Sequence, residues 1–231
     1  MGTLFGFLGV ALAAPPPTVI SSVEVWDGTS NPHAGEGVTL SGSGTWSDPF
    51  VYTLPGGLSI TDRGVLRFSA AANFRLVFEG GGLDIQDGGL IDLNKGGNRL
   101  SSYLCTWDLG GFDITGAGRV DSSATGSHGL AIHHVRNVEL KIIFLQRSDA
   151  APAPVSINAS GSVRIPGGID ASDMSPGGNQ GGNVNVRADR IEIGDIRTGS
   201  IRIKKKKKGF HFRHGEFRAM LGKGVYWFLN P

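Results

Sequence analysis

A right-handed parallel β-helix of very low helix content is the fold class this sequence predicts, on three observations. From about residue 65 onward the chain is a series of apolar/polar alternating segments of three to eight residues, each separated by Gly, Asn, Asp and Ser. Such alternation is the pattern of a half-buried strand. The segments recur in the same order and orientation, and no window of a dozen residues has the 3.6-residue apolar period of a helix. Glycine, at 37 of 231 residues, is more than twice its usual share and has no Gly-X-Y period, which excludes collagen. Only 18% of residues are charged and aliphatic residues are plentiful, so wholesale disorder is also excluded.

The two ends differ from the body. Residues 4–13, LFGFLGVALA, form a ten-residue apolar run that closes on Ala11-Leu12-Ala13 and precedes Pro15-Pro16-Pro17. The run is too short to span a bilayer, and it has the apolar core and small-residue site of a secretory leader, although the basic flank is missing. Residues 1–14 are therefore expected to be a signal peptide, with a secreted or cell-surface location. An apolar strand packed on the first coil is the other reading.

Residues 15–64 (VEVW, TSNPHAGEGVTLSGSG, TWSDPFVYTLPGGLSI) are less regular and carry Trp26, Trp46 and Phe50. They are expected to form a cap and the first rungs, because the first turn of a solenoid otherwise exposes unpaired backbone.

Residues 65–203 carry the repeat. LDIQDGGLIDLN (83–94) aligns on FDITGAGRVDSS (112–123), placing Leu83, Ile85 and Ile91 on Phe112, Ile114 and Val120. VSINASGSVRIPGGIDAS (155–172) aligns on the segment from Val184 to Ser200, placing Ile157, Val163, Ile165 and Ile169 on Val186, Ile191, Ile193 and Ile196. A 20–30-residue unit of short strands is a solenoid signature, since one unit cannot bury its own apolar row and a stack can. Each inward aliphatic then contributes roughly 1.5–3 kcal/mol. A β-sandwich or jelly roll is the alternative; it demands hairpin turns, and only Asp27-Gly28 and Asp87-Gly88 have that form.

Residues 204–231 break the pattern with five consecutive lysines and an aromatic-rich end. The overall charge of +2 averages a body with 14 basic and 19 acidic residues and a tail with 8 basic and one acidic. Frame slippage in an A-rich tract, a disordered basic tail and an anion-binding element all remain open readings of this tail. The nucleic-acid-like signal is confined there, so no nucleic-acid partner is expected, and no membrane span.

The segments GGNVNVRADRIEIGDIRTGS (181–200) and GSVRIPGGIDAS (161–172) resemble the repeats of filamentous-haemagglutinin-like and autotransporter-like secreted β-helices. That resemblance implies an exported, adhesin-like structural protein, with an extracellular polysaccharide or cell-surface ligand as partner. GLAIHHVRNVELKIIFL (129–145) is more loosely similar to one rung of polysaccharide lyases and polygalacturonase-type hydrolases. It implies the alternative, an enzyme on anionic polysaccharide, and carries over no catalytic residue.

Alternation places several polar residues outward. Asp84 stacked on Asp113 is a candidate Ca²⁺ pair, because hard oxygen ligands would relieve like-charge repulsion between rungs; strand-end aspartates bonded to the following turn are the other reading. Asp92, Asp121 and Asp170 form a second column, with Arg119 and Lys95 near. Were the chain an enzyme, Asp92, Asp121 and Asp108 would be its catalytic candidates, although carboxylates on adjacent rungs meet a glycosidase spacing by construction. Trp107 beside Asp108, and His134 near Arg136, are candidate ligand-binding residues for sugar. His133 and His134 are expected on opposite faces of one strand, and with Cys105 the only thiol a zinc site is unsupported. Neither a Gly-x-Ser-x-Gly elbow nor a phosphate-binding loop occurs. No organic cofactor is expected.

Overall fold

The computed structural model describes residues 14–68, 70–93, 103–122, 128–145, 153–172 and 182–198, together with the backbone of strands 200–205, 209–213, 216–221 and 225–226. Residues 1–13 of the segment expected to be a signal peptide, and Lys95, lie outside the described residues.

Among the described residues the chain forms a parallel β-solenoid of seven three-stranded rungs. Sheet A takes the first strand of each rung: Thr18–Ile20, Leu58–Ile60, Leu83–Ile85, Ile114–Thr115, Val138–Glu139, Ser162–Ile165 and Arg190–Ile193. Sheet B takes the second: Val23–Val25, Val65–Arg67, Leu90–Asp92, Arg119–Asp121, Ile142–Phe144, Ile169–Asp170 and Ile196–Arg197. Sheet C takes the third and longest: Phe50–Leu54, Phe74–Phe78, Leu104–Asp108, Gly129–Val135, Val155–Ala159, Asn183–Ala188 and Ser200–Lys205. All pairing between rungs is parallel, and among the described residues the only helix is the 3₁₀ turn Ala34–Glu36.

Burial explains the stack. In sheet B the inward column Leu66, Ile91, Val120, Ile143 and Ile169 is buried throughout, and in sheet C Tyr52, Leu76, Trp107, Ile132, Ile157 and Val186 do the same. Each side chain covers its neighbours one rung away, which no single rung could achieve. Corners need backbone to approach backbone. Gly116, at φ +103°, turns the chain from sheet A to sheet B where a Cβ would stand 2.0 Å from the Ile85 carbonyl oxygen.

The second internal alignment holds residue for residue: Ile157, Val163, Ile165 and Ile169 pair with Val186, Ile191, Ile193 and Ile196. The first holds in sheet B, where Ile91 pairs with Val120 and Asp92 with Asp121. It needs correction in sheet A. Leu83 pairs with Ile114 and Asp84 with Thr115, two residues on from the aligned Phe112 and Asp113. The left-handed pair Gly110 and Gly111 lies in the turn just before, and a two-residue shift preserves which side chains face inward.

The N-terminal end is closed by a cap. Thr39–Ser41 pairs antiparallel with Phe50–Leu54 and so covers the first edge of sheet C, while Trp26 stacks on Tyr52 at 4.5 Å and meets Phe68 edge-on. Trp46 projects from this cap, 75% exposed. At the other end Ser200–Lys205 continues sheet C two residues into the lysine run, and Val225–Tyr226 pairs antiparallel with it. Gly209–Arg213 and Glu216–Leu221 form a separate antiparallel pair.

Candidate functional site

The outer face of sheet C carries an interacting group of polar side chains that includes residues singled out by the sequence. Its outward column runs Val77, Asp108, His133, Asn158 and Arg187 over successive rungs. Asp108 is the hub: its Oδ2 accepts from the Arg75 guanidinium at 2.5 Å and its Oδ1 faces His134 Nδ1 at 2.8 Å. Partial burial would raise the Asp108 carboxyl, but hydrogen bonds from His134 and Arg75 outweigh it and hold the group below its usual range. The carboxylate is ionised at neutral pH, so the nitrogen that faces it carries the proton.

His133 and His134 were expected on opposite faces; the strand instead bulges between Ile132 and Val135. Ile132 and Val135 both stay buried in the core while two residues on this strand oppose the single residue Asn158. Both histidines thereby lie on the outer face. His134 adopts φ +48°, the only positive φ outside glycine among the described residues. Burial, then the neighbouring His134, push the His133 imidazole down. His134 also lines a shallow groove of about 600 Å³ with Gly110, Gly111, Asn158, Ser160 and Arg187.

The other predicted residues separate from this site. Trp107 is fully buried and its indole N–H donates to Cys105 Sγ at 3.2 Å, so it is a core side chain and no sugar platform. Cys105 shares that burial, which pushes its thiol up to about 12. The alternation that places Cys105 inward places Trp107 inward with it. His128 is buried away from the other histidines, its ring nitrogens facing the carbonyls of Leu93 and Ala72.

Arg136 is also parted from His134. It lies at the edge of sheet A in a second groove, about 400 Å³, lined by Asp84, Asp113, Thr115 and Phe112. Asp84 and Asp113 therefore share a groove but not a column. Asp113 accepts from Arg136 Nε and Nη2 and from the backbone N–H and side-chain amide of Asn137. The Arg136 hydrogen bond leads in holding its carboxyl below the usual range. Asp84 accepts instead from the Thr115 hydroxyl at 2.9 Å. The stacked Asp84–Asp113 pair is thus replaced by an aspartate beside a threonine and an aspartate saturated by donors. Among the described residues no group of three or more His, Cys, Asp or Glu is arranged to hold a metal ion.

Asp92 and Asp121 do meet on adjacent rungs of sheet B, with Asp170 parted from them by Phe144. Asp92 is buried and accepts from Arg67 Nε at 2.8 Å. Burial raises the Asp121 carboxyl; Arg119, at 3.9 Å, opposes this, and Asp92 adds to it. Asp170 accepts from the N–H and hydroxyl of Ser172, the strand-end role.

These features define a class, a parallel β-solenoid whose long third sheet offers a polar, partly basic outer face. Comparison with known proteins adds no relative: no family model, curated protein or solved structure matches the chain. Among the described residues no helix is long and apolar enough to cross a membrane.

Proposed function

We propose that this protein is an exported β-solenoid of the filamentous-haemagglutinin-like kind, which holds an extracellular polysaccharide or cell-surface ligand against the outer face of sheet C without turning it over. One observation carries this reading. Asp108, the central carboxylate of that face, is fixed as an anion between Arg75 and His134. A general acid needs a carboxyl that keeps its proton near the working pH; a carboxylate clamped by two donors orients them. The export part of the reading is supported by the apolar run 4–13 and its Ala-Leu-Ala ending.

A second reading is favoured by one observation on sheet B. The raised Asp121 carboxyl beside Asp92 has the unequal environments of an acid and base pair, which suits hydrolysis or elimination on an anionic polysaccharide. The full chain is incubated with acidic and neutral polysaccharides, with and without Ca²⁺, and both retention on the polymer and release of new chain ends are measured. Retention without new ends is expected. Turnover that disappears in Asp92→Ala or Asp121→Asn would establish the enzyme instead.

A further inference from the structure

Sheet C gathers basic residues toward its last rungs. Arg187 follows Asn158 in the outward column, Lys204 takes the next register position, and Arg202 pairs with Asn185 in the neighbouring column. Arg187 is exposed and makes no ion pair among the described residues, whereas Arg75 at the other end of the face is neutralised by Asp108. Among the described residues, the arginine of this face that is left without an ion pair, Arg187, is thus the one that lines the groove.

The groove itself is built around a backbone irregularity. A left-handed non-glycine residue is strained and persists where its surroundings fix it. Here the Gly111 N–H donates to the His134 carbonyl, and Asp108 takes the His134 Nδ1–H. With Nδ1 committed to Asp108, Nε2 is the ring nitrogen left for a ligand, in a side chain that is 72% exposed. Gly110 and Gly111 form a rim without side chains; a Cβ at Gly111 would meet open space. Asn158 and Ser160, both exposed, complete the wall with amide and hydroxyl groups.

We propose that this groove is the binding site for an acidic glycan, with sugar hydroxyls bonded by His134 Nε2, Asn158 and Ser160 and a carboxylate or sulfate set against Arg187. The proposal rests on the ligand-binding role assigned to sheet C above, and adds the site and the ligand's charge. Small amide and hydroxyl side chains beside Arg187 suit a hydroxyl-rich ligand. A single-stranded nucleic acid draws its affinity from aromatic platforms, and the exposed Trp46 stands at the opposite end, on the cap.

The test is affinity electrophoresis of the full chain through gels holding polygalacturonate, dextran sulfate, plain dextran or single-stranded DNA. Retardation by polygalacturonate or dextran sulfate, and not by dextran, is expected; the stronger of the two identifies the anionic group. Arg187→Gln should weaken binding about tenfold, the size of one lost charge-assisted hydrogen bond. His134→Gly, which relieves the left-handed backbone, and Asn158→Asp, which brings a negative charge into the groove, should each weaken it severalfold. Arg63→Gln, an exposed arginine between sheets A and B, should leave it unchanged. Equal retardation by dextran, stronger retardation by DNA, or full acidic binding by both Arg187→Gln and Asn158→Asp would each overturn the proposal. So would loss of binding on deleting residues 209–231 with those two variants unimpaired. If no polysaccharide or cell surface retains the protein, the broader reading fails; if dextran retains it, only this inference does.

Discussion

His33, under the cap, lies between two carboxylates, Glu24 at 2.7 Å and Glu36 at 3.0 Å, with Trp26 beside it at 6.0 Å. Burial would lower its affinity for a proton, but the hydrogen bonds to Glu36 and Glu24 outweigh it and the imidazole is raised above 6.5. The Glu36 carboxyl is correspondingly lowered from 4.5, first by His33. The folded state therefore binds the histidine proton more tightly than the unfolded chain does. That contribution is complete below 6.5 and is lost as pH rises through the folded value; the Glu36 contribution is present above 4.5 and lost as pH falls. Thermal melts should show a cap most stable between about pH 5 and 6.5 and weaker by pH 9. Glu24→Gln should remove much of the alkaline loss and cost roughly 1–3 kcal/mol near pH 6. A melting temperature flat from pH 6 to 9 would contradict the clamp. At Cys105 the expectation is chemical: a thiol pushed up to about 12 by burial should resist a disulfide-exchange reagent until the protein unfolds. Rapid labelling of native protein would show that Cys105 and Trp107 are not core residues.

At the scale of single strands and turns, the corner glycines separate conformational strain from collision. Gly116 combines a positive φ with a Cβ position 2.0 Å from the Ile85 oxygen, while Gly111 has a positive φ and open space. Gly116→Ala should destabilise by several kcal/mol and Gly111→Ala by only about 1 kcal/mol, read as shifts in denaturant midpoint. In the core, Ile132→Ala should cost about 2–5 kcal/mol, since its column neighbours Trp107 and Ile157 would be left facing a void. These elements also mark what the chain disclosed by itself. The inward aliphatics of residues 155–197 follow the two-residue period so regularly that every aligned partner is a structural partner. The Leu83 register could not be read that way, because a shift of two residues leaves the inward and outward pattern intact. The histidine site was hidden for a different reason. The bulge at His133 and His134 meets the Gly110–Gly111 turn and Asp108 one rung away, and no local period records such contacts. Trp107 was legible in principle, since it shares the parity of Cys105.

At the scale of the molecule, the seven rungs of the described residues leave strand edges at the two ends, and the ends are treated unlike the body. At the first rung Glu24 takes the inward register position that Leu66 and Ile91 hold above it, which places a charge where another solenoid's apolar column would otherwise dock. Sheet C is bounded by an antiparallel strand at each end, and an antiparallel neighbour cannot extend a parallel stack. Exposed valines at 19, 23 and 25 lie on the first strands of sheets A and B. Along the outside, ion pairs run from rung to rung: Arg164 reaches Glu139 on one side and Glu192 on the other, and both contacts are exposed. Such pairs are worth at most about 1 kcal/mol each, so stability should depend on the buried columns and respond little to salt. A large fall in melting temperature at 1 M NaCl would reverse that ranking.

Paired cysteines in a Cys105→Ala background test the coaxial stack most directly. Neighbouring rungs are about 4.8 Å apart and a disulfide requires Cα atoms within about 7 Å. Asp84→Cys with Thr115→Cys should therefore close on mild oxidation, and Asp84→Cys with Asp113→Cys should not. Closure of the second pair alone, or of neither, would contradict the in-register parallel solenoid on which the rest of the account depends.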